Sequence, residues 1–128
     1  MIVRVLRARV RAGRVGPFNA LFRQQVPLLR QQPGLVYVKL ARQLLSDGGE
    51  EVILFEEWQD AASMYRWVGP DLSEPRLVPG AKELIEEVLV AHYEALDIDP
   101  SIPFEANAGP WRGPDPAPES PDTPEPPA

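Results

Sequence analysis

Few residues of this chain could do chemistry. One histidine, His92, is its sole side chain with an unperturbed pKa near neutrality, so it could supply or take a proton. Three tryptophans and three tyrosines offer flat apolar faces with indole or hydroxyl donors. Two of the tryptophans fall in residues 51–69, where Glu56-x-Trp58-x-Asp60 is followed at once by a helical pattern carrying Trp67. The absence of cysteine removes a thiol nucleophile, a disulfide framework and a zinc-thiolate site. One histidine with scattered carboxylates does not make a metal-ligand set. Gly48-Gly49 reads as a turn rather than a phosphate cradle. Each candidate also has a structural reading. Trp58 at a strand-helix corner suits a core, and Trp67 suits helix packing. His92 alternates in register with Val88 and Val90, as a hydrogen-bonded structural histidine would. Glu56 and Glu57 could pair with arginines of the first strand.

The elements that must position these residues follow from periodicity. Residues 2–11 alternate, with Leu6, Ala8 and Val10 on one face and Arg7, Arg9 and Arg11 on the other, which predicts a strand. After a break at residues 13–16, Pro17 suits a first helical turn. Phe18, Leu21, Phe22, Leu28 and Leu29 then form an apolar stripe to Gln32. Pro27 inside this helix cannot bond the carbonyl of Arg23 and is expected to kink it. Pro33-Gly34 ends the helix. Residues 35–45 form a second strand, residues 46–49 a hairpin turn, and residues 51–58 a third strand antiparallel to the second. Asp60 is placed to cap a second helix whose apolar face is Ala61, Met64, Tyr65 and Val68. A loop over 70–79, a short helix over 81–87 and a fourth strand over 88–95 complete the order. This β-α-β-β-α-β plan is the ferredoxin-like α+β fold with a four-stranded antiparallel sheet. Helices on one face leave the other bare, and two such faces can cover each other in a symmetric homodimer.

Composition narrows the class of partner. The chain has 128 residues, 44% hydrophobic and 25% charged, which suits one domain (residues 1–97) and a tail. Residues 98–128 are rich in proline and acid and are read as extended or disordered, with Ile102, Phe104 and Trp111 as possible anchors. No apolar run is long enough to span a membrane, and arginines interrupt any signal-like N-terminus, so no membrane partner and a cytoplasmic location are expected. Residues 1–46 carry nine basic residues and no acid, whereas all 19 acids lie from Asp47 onward. Spread over two strands and a helix without interleaved aromatics, the bases argue against nucleic acid. They suit cross-strand neutralisation of residues 50–57 instead.

Taken together, Pro33-Gly34-Leu35, Glu56-x-Trp58-x-Asp60, Trp67 and His92-Tyr93-Glu94 resemble the antibiotic-biosynthesis monooxygenase (ABM) domain of the dimeric α+β barrel superfamily. The resemblance covers about residues 1–96. It implies a homodimeric barrel whose pocket, between sheet and helices, holds a small apolar or aromatic ligand. One branch oxidises planar aromatic polyketides with O2 and no bound metal or flavin, so no cofactor is expected. There Trp67 would stack on the substrate, and Ser63 stands where that branch has an Asn one turn earlier. His92 would move the proton, and Tyr65 or Tyr37 would donate a hydrogen bond. A second branch degrades haem with an Asn, a Trp and a His, of which Trp67 alone has a counterpart here. Arg7 or Ala8 and Leu77 or Val78 stand at the other two positions. Many ABM-like proteins have no known activity, so a non-catalytic small-ligand-binding or assembly module is the alternative.

Overall fold

The computed structural model of the chain describes residues 1–96 and 110–118. In order it contains β1 (Ile2–Val10), α1 (Val15–Arg30), β2 (Leu35–Leu44), β3 (Glu50–Trp58), α2 (Ala61–Val68) and β4 (Ile85–Glu94), with a 3-10 turn at Lys82–Leu84. The strands make one antiparallel sheet in the order β2-β3-β1-β4, with both helices on one face. The expected ferredoxin-like α+β fold is present. The expected anchors Ile102 and Phe104 lie outside the described residues.

Alternation sorts the sheet into two unlike faces. Leu6, Ala8 and Val10 of β1 and Val52, Leu54 and Trp58 of β3 are buried beneath the helices. Phe18, Phe22 and Leu29 of α1 and Met64 and Val68 of α2 complete that core. Phe18 and Phe22 stack with centroids 5.2 Å apart, one helical turn apart in sequence. On the other face Val3, Val5, Ile53 and Phe55 are half-buried, while Leu89 and Tyr93 are exposed. Arg7 Nε bridges Glu51 Oε1 there at 3.2 Å, so the basic first strand does neutralise the acidic third.

Local chemistry sets the corners. Leu45 N–H donates to the Gly49 carbonyl (2.8 Å) and Gly49 N–H to Asp47 Oδ1 (2.8 Å), closing the β2–β3 hairpin with Gly48 at φ +88°. Asp60 caps α2 by accepting from Ser63 N–H at 2.8 Å. Gly34 has φ +88°, and a Cβ there would overlap the Ser63 side chain. The start of β2 therefore packs directly on the start of α2. α1 runs on through Pro27 to Arg30.

The segment expected as a helix over 81–87 is helical only at Lys82–Leu84. Ile85 pairs with Val10 and Glu87 with Arg9, a bulge absorbing Glu86. Ladder hydrogen bonds to β1 outweigh the helix propensity of this Lys-Glu-Leu run. No helix among the described residues is long and apolar enough to cross a membrane.

Candidate functional site

Three polar side chains lie in one row on the helix-facing side of the sheet. Cross-strand register sets Arg4 of β1 between Glu56 of β3 and His92 of β4. Arg4 is 1% exposed and Glu56 2%. Arg4 Nη1 donates to the Leu72 carbonyl (2.9 Å) and meets His92 Nε2 at 2.8 Å, while Nη2 donates to the Glu74 carbonyl (2.8 Å). A guanidinium has only donors, so His92 Nε2 is the acceptor and the ring proton sits on Nδ1. Burial, then the Arg4 charge, pushes His92 down to about 4. At neutral pH this histidine is therefore an uncharged N–H donor rather than an available base. Burial pushes the Glu56 carboxyl up to about 6, although the Trp58 indole N–H (2.9 Å to Oε1) and Arg4 pull the other way. Burial likewise lowers Arg4 from its ordinary value, against the pull of Glu56.

The same arginine ties down the loop between α2 and β4, and a second buried side chain repeats the device. Gln25 of α1 donates through Nε2 to the Arg76 carbonyl and accepts from Val78 N–H at Oε1 (3.1 Å). Held by Arg4 and Gln25, the loop walls a cleft of about 130 Å³ beside Trp67, with Leu28, Leu77 and Pro79. The Arg76 guanidinium lies 5.0 Å from the Trp67 ring centroid, in cation–π range. Trp67 Nε1 is buried with no hydrogen-bond partner among the described residues. A buried, unpaired N–H is costly. The volume is close to the roughly 150 Å³ that accommodates benzene in an engineered cavity, so it suits one aromatic ring.

The sequence-derived candidates are distributed as follows. Ser63 and Trp67 share the buried face of α2 one turn apart. The Ser63 hydroxyl is packed at Gly34 and accepts from Arg66 Nη2 at 3.5 Å. Tyr65, also buried, donates its hydroxyl to the Asp115 carbonyl at 2.7 Å, so it is engaged by the tail. His92 is on the sheet, joined to the Trp67 cleft only through Arg4 and the loop. Tyr37 is exposed on the opposite face of the sheet, edge-on to Phe55. Sequence reasoning passed over Arg4, Gln25 and Arg76. Arg4 was detectable, because it has the parity of Leu6, Ala8 and Val10 and so belongs to the core face. Gln25 and Arg76 carry no such signal.

Among the described residues no cluster of three His, Cys, Asp or Glu gathers as a metal site. Residues 1–72 match the family model described as antibiotic biosynthesis monooxygenase. A search of curated proteins found no match. Among solved structures, one described as antibiotic biosynthesis monooxygenase is 20% identical with TM-score 0.62, covering 76% of this chain and 100% of its own. Rv0793 from Mycobacterium tuberculosis is 22% identical, with TM-score 0.59 and coverage of 75% and 95%. SnoaB from Streptomyces nogalater, described as a cofactor-independent oxygenase and solved as a mutant, is 22% identical, with TM-score 0.55 and coverage of 77% and 96%.

Proposed function

The chain belongs to the antibiotic biosynthesis monooxygenase family, and from that premise we propose that it is a cofactor-independent monooxygenase of a small aromatic or polyketide-like molecule. The observation that carries this reading is the Trp67 cleft, a slot sized for one ring, with Leu28, Leu77 and Pro79 in its wall and the Arg76 guanidinium over the indole. In such a reaction a phenol loses its proton and passes an electron to O2. One oxygen atom enters the ring to give a quinone, and the other leaves as water with two hydrogens of the substrate. Substrate supplies all the electrons. The phenolate formed on the way needs a positive donor beside it, which the Arg76 guanidinium next to Trp67 is suited to provide. His92 stands off this cleft and bears on it through Arg4, which holds the loop. A ligand of more than one ring requires the loop held by Arg4 and Gln25 to open. A cytoplasmic homodimer joined through the bare sheet face, where Tyr37 lies, accompanies this reading.

The test is O2 uptake and product mass with a panel of one- to three-ring phenols. Trp67→Phe, which shrinks the ring wall that Arg76 covers, should lower turnover by about 10-fold or more. Full turnover in a folded Trp67→Phe variant would remove the indole from the mechanism. One observation favours a second reading, a non-catalytic ligand-binding module: Ser63 and Tyr65 are already engaged, with Gly34 and Asp115 respectively. Phenol binding without O2 uptake would support it.

A further inference from the structure

The flank of α1 turned away from the Trp67 cleft borders a second, larger depression. Arg23, Val26, Pro27 and Arg30 of α1, with Val38 and Leu40 of β2, line a groove of about 310 Å³. Its floor is apolar and its helix side carries two exposed cations. Neither enters an ion pair among the described residues. Seven residues separate Arg23 from Arg30, so they stand two turns apart on one side of the helix, about 10.5 Å along its axis.

The sequence beyond Pro118 has a matching period. Residues 119–128 read ESPDTPEPPA, with Glu119, Asp122 and Glu125 at every third position, Pro121, Pro124 and Pro127 two further on, and no base. Polyproline II has three residues per turn and rises about 3.1 Å each, so such acids form one edge with a repeat of about 9 Å. That repeat fits the Arg23–Arg30 interval, and the proline edge fits the apolar floor. The chain also enters this segment from the helix side of the sheet. Residues 110–118 are already seated on α2, through the Asp115 carbonyl at Tyr65 and through Ala117 at the core. From Pro118, ten residues of polyproline II span about 31 Å. We infer that the α1–β2 groove is the docking site of residues 119–128 of the same chain, two successive acids meeting Arg23 and Arg30 and the prolines lying on Val26, Pro27, Val38 and Leu40. This assignment is independent of the oxygenase reading.

The chain has no cysteine, so Ser120→Cys in the full chain accepts a single nitroxide. Its broadening of isotope-labelled amide signals maps where the segment lies. Docking predicts loss of the Arg30, Val38 and Leu40 signals. Arg23→Glu with Arg30→Glu, both at exposed sites, should restore them. Adding Glu119→Lys, Asp122→Lys and Glu125→Lys to that variant should bring the broadening back. Undiminished groove signals in the labelled protein would overturn the proposal, as would broadening that survives the arginine reversal. Broadening seen only between nitroxide-bearing and isotope-labelled copies in a mixture would overturn the same-chain assignment.

Discussion

Arg4, Glu56 and His92 act as one electrostatic unit, because a single buried guanidinium faces both titratable groups across the sheet. Since His92 is the only histidine, its imidazole resonance is unambiguous. It should titrate near 4 rather than 6.5 and carry its proton on Nδ1. Arg4→Met removes the donor and the charge, so the midpoint should rise toward 6.5, though burial still holds it below. A wild-type imidazole with its proton on Nε2 would contradict the Arg4 contact. Glu56 gives a second test. Its folded pKa is raised from 4.5 to about 6, so its stabilising contribution is full below pH 4.5 and is lost as pH rises through about 6. The shift corresponds to about 2 kcal/mol. His92 has the opposite sign: its contribution is present above pH 6.5 and lost as pH falls through about 4. The two slopes oppose each other between 4.5 and 6, which flattens the wild-type profile there. Glu56→Gln keeps an acceptor for Trp58 but cannot ionise, so its melting temperature should gain on wild type as pH climbs through that window. Parallel melting profiles for the two proteins would rule out the buried carboxylate as their source.

At the scale of elements, the loop between α2 and β4 that walls the Trp67 cleft is held by side chains rather than by a ladder. Gln25→Ala would strand the Arg76 carbonyl and the Val78 N–H, at a cost of about 1–3 kcal/mol. Hydrogen exchange should show the Val78 amide opening well before those of Val52 and Leu54. Equal loss of protection at all three would mean that Gln25 supports the whole core instead of the loop. Gly34→Ala tests the other junction, because it forces a side chain into positive φ and against Ser63. A loss of about 1–3 kcal/mol is expected by denaturant titration. These junctions also mark how far the sequence could be read. Local rules sufficed for the hairpin at 46–49, the Asp60 cap and the Pro33-Gly34 stop, since turn and cap chemistry is carried by the residues themselves. They failed at 81–87, where pairing with Arg9 and Val10 decides the conformation. The site was half legible: Trp67 and His92 stand out by type. The link between them runs through Arg4 and loop carbonyls, and backbone acceptors leave no mark in a sequence.

For the whole molecule, the unresolved balance is one sheet with one covered face. Val5, Ile53 and Phe55 are half-buried there, and Leu89 and Tyr93 are 55% and 54% exposed. Four strands at about 4.8 Å spacing and nine residues at about 3.3 Å rise give a face of roughly 19 by 30 Å. Two such faces would bury about 1,100 Å² before side-chain relief is counted, close to the lower end of stable interfaces at about 1,200 Å². A two-fold pairing also sets each copy's apolar centre against its mate's, as a self-complementary patch requires. The proposed homodimer therefore depends on the middle of this face, where Phe55 pairs across the ladder with Val5 and Lys39. Phe55→Lys places a charge at that centre but leaves the helix-side core untouched. Sedimentation equilibrium should find wild type at twice the chain mass and the variant at one chain mass, with unchanged circular dichroism. A wild-type monomer at micromolar concentration would mean that the face is not a dimer surface. A variant that remains dimeric would move the contact elsewhere, with the exposed β2 edge, where Leu44 is 77% exposed, as the next surface to alter.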